Sequence, residues 1–335
     1  MLNTQAAYLA DNFPHCGLLS EAKFFAADNE AREMDAAGSH SSATVHGRLH
    51  AVAGKKKTAE ERSDMRCLPA TCIACLMMDN DGLDGKRWSC RGCNWRQSIR
   101  HGSFFTGSHL SLQKLVILIY FWSHDAPQTT MTHETGIERD ETIVDWCNFC
   151  RDVCETWVEE NGEEIGGMTD QGEPIVVEID ETKYFHRKYH MGQWREGHWV
   201  FGGIERETGR CFLVEVPDRT AATLTREIEK RILPGSHIVS DGWASYAQID
   251  RIRGGIYTHS VVVHQEHFVD PDEPDTHTQN VENMWMRAKR KIRRQFGTSR
   301  ELFPSYLHEF VWRNSMKGRD MFSAFCGCVS DSYVV

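Results

Sequence analysis

The sequence predicts an α/β fold built on a mixed five-stranded sheet with flanking helices over residues 170–318. The first observation is a set of short runs rich in β-branched and aromatic residues, at 175–179, 198–205, 210–216, 237–240 and 257–263. The second is a helical pattern over 221–232 that stops at Pro234-Gly235. The third is a long helix predicted over 278–296, after a loop rich in Asp and Pro. Three antiparallel strands followed by helical crossovers to parallel strands are the order of a ribonuclease-H-like domain.

Composition limits the classes of protein that this chain can form. Its 335 residues suggest two or three domains, and its net charge of -10 argues mildly against a nucleic-acid binder. A basic surface can nevertheless be local in an acidic chain. No signal peptide is evident, and the longest apolar stretch, 115–122, is too short to span a bilayer. We expect a protein that is neither secreted nor in a membrane, nuclear in a eukaryote and otherwise cytoplasmic.

Two CxxC motifs predict a zinc ribbon over residues 67–98. Cys72 and Cys75 form the first pair, and Cys90 and Cys93 follow after fourteen residues, 76 through 89. Two such pairs supply the four thiolates that one structural Zn²⁺ prefers. The alternative is four reduced thiols without metal. Residues 1–66 precede the ribbon as an extension and linker.

Residues 99–165 predict a small helical unit. Helices are expected over 112–122, 129–135 and 140–158, with Gly136 in the second turn. This outline fits a helix-turn-helix that binds DNA, and it fits a plain helical packing unit equally well. Cys147, Cys150 and Cys154 follow the apolar face of the third helix, so we expect them in its core. Residues 319–335 are assigned to a C-terminal tail.

Three acids fall on elements that can converge. Asp180 is expected to end the first strand of the sheet, Asp241 the fourth, and Glu282 lies in the first turns of the long helix. Each alone is more often a turn or cap residue. Together they predict catalytic ligands for two Mg²⁺ or Mn²⁺ ions, which take oxygen donors and serve phosphoryl transfer.

A basic stripe follows Glu282 along the same helix. Lys289 is seven residues after Glu282, which returns it to nearly the same helix face. We expect the stripe to contact DNA phosphates, and the alternative is a solvated helix face. Its members are Lys289, Arg290, Arg293 and Arg294, with Arg287, Lys291 and Arg300 beside them.

The ordered motifs of the chain resemble the Merlin superfamily of DNA transposons and its bacterial insertion-sequence relatives, with an ISXO-like transposase domain. The resemblance covers about residues 67–318 and rests on Glu178 to Thr182, His198 to Gly203, Val216 to Thr220, Pro234-Gly235, Ser240 to Trp243, His264 to Asp270, and His277 to Glu282 with Trp285 and Lys289. It implies a DDE transposase in which Asp180, Asp241 and Glu282 are the catalytic acids and Lys289 is the basic residue that follows them. His264 and His277 match family histidines of unassigned role, and Asn280 is an alternative third ligand.

This resemblance implies a cut-and-paste transposase. It would bind terminal inverted repeats of double-stranded DNA as a homo-oligomer, cleave the transposon ends and join the 3′ ends to target DNA. Two other hypotheses remain: a host-adopted, catalytically inactive DNA-binding regulator, and a structure-specific nuclease on the same fold.

The zinc ribbon gives the first testable prediction. The purified protein should contain one zinc per chain by metal analysis, and Cys90→Ser should release it, because structural zinc sites close with four protein ligands. The same substitution should loosen residues 67–98 without unfolding the catalytic domain, whose core is separate. Wild-type protein without zinc would contradict the prediction.

Overall fold

The structure is a computed structural model, and it describes residues 74–78, 83–90, 96–162, 164–185, 197–262, 277–294 and 298–333. The predicted extension over 1–66, Cys72, Cys93 and His264 lie outside these ranges. The described residues divide into two compact units. The first contains the residues up to Thr156 and those from Gly318 onward, and the second is Trp157–Lys317.

The first unit begins with a three-stranded antiparallel sheet. Its strands, which pair in chain order, are β1 (Ala74–Met78), β2 (Lys86–Cys90) and β3 (Arg96–Ser98). The register pairs Ala74 with Cys90, so the chain positions of Cys75 and Cys90 lie on neighbouring strands. The side chains of these cysteines are not among the described ones, and the zinc site stays a prediction.

The helices of the first unit follow the predicted pattern. They are α1 (Leu112–Ser123), α2 (Gln128–Thr135) and α3 (Asp140–Asn161), the last of which runs on into the second unit. Gly136 ends α2 with φ of 59°, a left-handed conformation that favours glycine. Cys147, Cys150 and Cys154 are buried, as predicted. Whether α2 and α3 act as a helix-turn-helix stays a prediction.

A final helix lies in the stretch that the sequence assigns to a tail. It spans Met321–Ser332, and Asp320 caps its first turn by accepting from the backbone N–H of Ser323 at 2.7 Å. Phe325 is fully buried, with its ring centroid 4.9 Å from Trp122 and 6.3 Å from Phe104. Residues 321–332 are therefore part of the core of the first unit.

The second unit contains the mixed five-stranded sheet that the sequence predicts. Its strands are β5 (Val176–Tyr184), β6 (His198–Glu205), β7 (Cys211–Val216), β9 (His237–Asp241) and β10 (Thr258–Val262). In spatial order they are β10-β9-β5-β6-β7, with β5, β6 and β7 antiparallel and β9 and β10 parallel to β5. A two-residue pair, β4 (Ile165–Gly166) with β8 (Ile232–Leu233), lies outside this sheet.

Helices cover the two faces of this sheet. They are α4 (Ala221–Arg231), α5 (Gln279–Arg294) and α6 (Phe303–Ser315). The final helix of the first unit, described above, is labelled α7 (Met321–Ser332). Leu224 and Ile228 of α4 pack with Val177 and Ile179 of β5 in one apolar cluster. Since side chains alternate along a strand, Glu178, Asp180 and Thr182 face the opposite side, toward α5.

One predicted boundary is wrong in a way that matters for the site. The first strand does not end at Asp180 but continues to Tyr184, because β6 pairs with it as far as Tyr184 and His198. The apolar run that marks the strand ends early, since the second half of β5 carries polar residues with the partners described below.

In the part of the chain that the structure describes, every helix is too short or too polar to cross a membrane.

Candidate active site

Asp180 and Asp241 lie on neighbouring parallel strands. The last pair between these strands joins Glu178 of β5 to Val239 of β9, and two residues further along lie Asp180 and Asp241, close enough that the charge of Asp241 acts on Asp180. Residues side by side on parallel strands point to the same face. Asp241 is the last residue of β9, as predicted, and its Oδ1 accepts the backbone N–H of Trp243 at 3.0 Å. The two predicted aspartates therefore meet.

The carboxyl of Asp180 sits in an unusual electrostatic environment. Burial raises its pKa to about 7, and the nearby charges of Glu181 and Asp241 act in the same direction. Two hydrogen bonds oppose these effects: the Glu181 backbone N–H donates to Oδ1 at 2.8 Å, and the Trp285 indole donates to Oδ2 at 3.0 Å. Crowded, half-buried acids of this kind mark a place where a positively charged partner is expected.

A buried carboxylate that the sequence pattern does not single out positions the helix above this pair. Glu178 is fully buried, and its two oxygens accept the backbone N–H groups of Asn280 and Val281 at 2.8 and 3.1 Å and the Asn280 amide at 2.8 Å. Arg206 donates to the same carboxylate at 3.1 Å. A carboxylate at a helix N-terminus satisfies free N–H groups and complements the helix dipole. Glu178 therefore fixes where α5 begins.

Trp285 connects α5 to Asp180 at close range. Its indole reaches Oδ2 of Asp180, and its ring lies over Gly202, the cross-strand partner of Asp180. A Cβ built on Gly202 would come within 2.7 Å of the Trp285 ring and 2.8 Å of Leu213. Glycine at position 202 is therefore what allows the helix to lie this close to the strand.

Glu282 does not join the aspartates in the structure. It lies in the first turn of α5 and is exposed. Among the described residues, no group of three or more His, Cys, Asp or Glu side chains is placed to hold a metal ion. Glu282 does share a helix ridge with Lys289, whose ammonium donates to the Thr182 hydroxyl of β5. The third predicted acid is thus on the side of α5 that borders β5.

Asn280, the alternative third ligand, also faces β5, where its side-chain amide donates to Glu178 at 2.8 Å. His277 is nearby, with Nδ1 3.3 Å from Glu178 Oε1, and its carbonyl accepts from Arg206 at 3.1 Å. Both residues therefore contact the buried Glu178, which makes them positioning residues for the start of α5.

The predicted basic stripe divides into two sets. Arg290, Arg293 and Arg294 are exposed, as a phosphate-binding surface requires. Lys291 instead contacts the buried Glu309 of α6 at 2.8 Å, and Arg287 donates to Asn314 at 3.0 Å. These last two residues attach α5 to α6, so the expectation that they continue the stripe is wrong.

Glu181 is a further acid at this end of the sheet. It follows Asp180 but points to the face of α4, where it accepts from the Tyr246 hydroxyl and from Arg219 at 3.3 Å. Burial raises the pKa of Glu181, and the charge of Asp241 raises it too, while its two hydrogen-bond donors lower it. The sequence signal for this residue is the pair of acids at 180 and 181, which strand alternation sends to opposite faces.

Comparison with known proteins relates the chain to transposases. Residues 171–315 match the family model of the ISXO2-like transposase domain. A transposase-like protein of Haemophilus influenzae is 30% identical over 104 residues, which cover 31% of this chain and 80% of that protein. The catalytic core of BIV integrase is similar at 14% identity and a TM-score of 0.30, covering 43% of this chain and 85% of that one. The HTLV-2 integrase core with magnesium is similar at 13% and 0.24, covering 47% and 82%.

Asp180→Asn should stabilise the metal-free protein above neutral pH. The folded protein raises the pKa of this acid from 3.8 to about 7, so its contribution to stability is complete below pH 3.8 and is lost as the pH rises toward 7. Asparagine carries no charge but provides one acceptor fewer, so we expect a net gain of about 1–3 kcal/mol at pH 8. Urea unfolding in EDTA from pH 5 to 8.5 measures it.

Asp218→Asn is the matched control, because its effect should have the opposite sign. Asp218 is exposed and accepts from the Thr220 N–H at 2.9 Å and the Thr223 hydroxyl at 2.7 Å, which lowers its pKa. Its contribution is therefore present at neutral pH and lost in acid. If both variants lose stability at pH 8, the electrostatic account of Asp180 is wrong.

Proposed function

Because this chain belongs to a family of transposase-like proteins, we propose that it is a cut-and-paste DNA transposase whose nuclease site is formed by Asp180, Asp241 and Glu282. The observation that carries the proposal is the pair of aspartates close together on β5 and β9, where Asp180 is half-buried and the charge of Asp241 acts on it. Like charges that are crowded together and partly removed from water are costly in a protein that serves only as a scaffold. They are expected where a cation or a reacting phosphate completes the site.

The donor chemistry of the two aspartates suits divalent metal ions, and the proposal assigns two such ions to this site. Asp180 and Asp241 supply carboxylate oxygens, the donors that Mg²⁺ and Mn²⁺ prefer, and their mutual repulsion favours a positive charge between them. Glu282 would complete the set from the edge of α5 that borders β5. When bound, two such ions lower the pKa of an attacking water and stabilise a leaving 3′ oxygen.

Side chains around the acids hold them in position. Trp285 and the Glu181 N–H hold the Asp180 carboxylate in one orientation, so it need not reorganise during the reaction. Glu178 sets the start of α5 and with it the height of Glu282 above the sheet. Lys289 donates to Thr182, two residues from Asp180, and in this proposal it binds a DNA phosphate.

DNA would approach along α5. Arg290, Arg293 and Arg294 are exposed on the helix that carries Glu282, and exposed Arg side chains contact phosphates without reading sequence. We propose that the zinc ribbon and the helical unit supply recognition of the terminal repeats. A homo-oligomer on paired transposon ends follows from the need to cut and join both ends together.

One observation favours a second candidate, a DNA-binding regulator without cutting activity. Glu282 is exposed and lies outside any cluster of three ligands among the described residues. A chain in which Glu282 stays apart from Asp180 and Asp241 when DNA is bound would leave that DNA intact. The experiment below separates the two functions.

Glu282→Gln should reduce cutting by orders of magnitude. The substitution keeps the size and the helix but removes one of three negative charges that two divalent ions need. Binding to the element's ends should be nearly unchanged, because one negative charge fewer near DNA cannot weaken it. Both are measured with oligonucleotides carrying the ends, in Mg²⁺ or Mn²⁺, by strand cleavage and by gel shift.

Glu207→Gln serves as the charge-matched control, since Glu207 is exposed in the turn between β6 and β7. It should cut like the wild type. If Glu282→Gln also cuts like the wild type, the third ligand has been misassigned. If the wild type never cuts in either metal, the regulator is the better description.

Arg290→Ala with Arg293→Ala should flatten the salt dependence of DNA binding by about two units of slope, because each phosphate that is no longer neutralised removes about 0.9. The double variant Arg226→Ala with Arg251→Ala, two exposed arginines on the side of the sheet away from α5, is the control and should leave the slope unchanged. Binding titrations over a range of salt concentrations give the slope. Equal slopes in both double variants would show that α5 does not contact the backbone.

A further inference from the structure

Trp243 is exposed immediately beyond the candidate acids. It follows Asp241 by two residues, and its side chain is 37% exposed. Among the described residues, it is the one aromatic side chain in the set of exposed large hydrophobic residues. Scattered aliphatic exposure is ordinary on a protein surface, whereas an exposed indole costs more and is common at binding surfaces.

The indole of Trp243 is supported from behind. The Arg219 guanidinium lies 3.9 Å from its ring centroid and 4.7 Å from the ring of Trp199, so the cation is held between two indoles. Glu181 fixes the same guanidinium by a hydrogen bond of 3.3 Å. A planar cation stacked in this way holds an aromatic ring in one orientation.

Trp243, Arg219 and Trp199, here called the Trp243 stack, are also connected to the two aspartates. The Trp243 backbone N–H donates to Oδ1 of Asp241 at 3.0 Å, and Glu181, which holds Arg219, is the neighbour of Asp180 in the chain.

Two other exposed apolar side chains lie on the elements that carry the acids or adjoin them. Val261, 42% exposed, is the residue that a Cβ built on Gly242 would meet, at 3.9 Å. Met286, 64% exposed, is one turn after Glu282.

We propose that Trp243, supported by Arg219 and Trp199, stacks an unpaired nucleobase of the DNA strand that is cut. The inference rests on the proposed function, because it places that base next to the phosphate held at Asp180 and Asp241. The exposed arginines of α5, which the proposed function assigns to phosphate binding, lie on one face of the sheet, and the Trp243 stack lies on the other, with the acids between them. A strand crossing the end of the sheet would meet phosphate contacts on one side and a base platform on the other.

A nucleobase fits this surface better than a protein side chain does. Every base has a flat π-face, and stacking on an exposed aromatic ring is independent of base identity. Moving a base out of the helical stack costs less free energy when that base is already unpaired. Trp243 would therefore favour distorted or frayed DNA. A protein partner would instead bind Trp243 equally well with or without DNA.

The test uses the full chain in buffer without added Mg²⁺ or Mn²⁺, so that no strand is cut and the predicted zinc is kept, and two duplex oligonucleotides of one sequence. One carries the fluorescent adenine analogue aminopurine opposite thymine, and the other carries it opposite an abasic site, where the base is unpaired. The wild type should bind the unpaired form about tenfold more tightly and quench its fluorescence. Trp243→Ala should bind both forms equally, at the wild-type affinity for the paired duplex, and Trp243→Phe should keep most of the preference.

Met168→Ala is the matched control, an apolar side chain 59% exposed in the same unit that should change nothing. The proposal is overturned if the wild type shows no preference for the unpaired form. It is also overturned if Trp243→Ala keeps the preference, or if it loses affinity for both duplexes alike. Cutting in Mn²⁺ is scored separately, so a protein that prefers the unpaired base without cutting overturns the proposed function alone.

Arg219→Lys tests the support of the indole. It keeps the positive charge but removes the planar surface between the two rings. The preference for the unpaired base should fall severalfold while affinity for the paired duplex stays the same. An unchanged preference would overturn the role assigned to Arg219, and a drop in paired affinity would show that Arg219 binds phosphate instead.

Discussion

The buried carboxylate of Glu178 is the constraint on which the candidate site depends. It sits without solvent exposure on the central strand, and it accepts two backbone N–H groups and one amide from the start of α5. A buried charge is tolerable only when its partners are in place, so the helix is held in one register against the strand. From that register, Trp285 reaches Asp180 and Lys289 reaches Thr182.

Successive side chains of β5 point to opposite faces of the sheet, and the residues on the two faces have different contacts. Glu178, Asp180 and Thr182 face α5, where carboxylate and cation chemistry is concentrated. Glu181 faces the α4 side, where it holds Arg219 against the indoles. Neighbouring residues of one strand therefore organise two different surfaces at the same end of the sheet. Because Asp241 borders both, the acids are the point at which phosphate contacts and base contacts would meet.

Much of this architecture is readable from the sequence. The strands at 198–205 and 237–241 have strong local patterns, and the helix around Glu282 has a clear amphipathic period. The second half of β5 escapes such a pattern because Asp180 to Lys183 are polar, and their strand geometry comes from pairing with β6 and from contacts with α5. Glu178 escapes notice as a positioning residue for a similar reason: its partners at 206 and 280 are distant in the chain. Long-range partners leave no local pattern.

Gly202 and Trp285 illustrate how such long-range dependence would appear over evolutionary time. The ring of Trp285 occupies the space that any side chain at position 202 would need. A mutation at 202 alone displaces the indole from Asp180, and a smaller residue at 285 alone leaves a void over the strand. Only a paired change preserves the packing, so each position limits which mutations the other can accept. Positions 202 and 285 should therefore covary among related sequences. A sequence that has changed at only one of them should no longer hold Asp180 as this structure does.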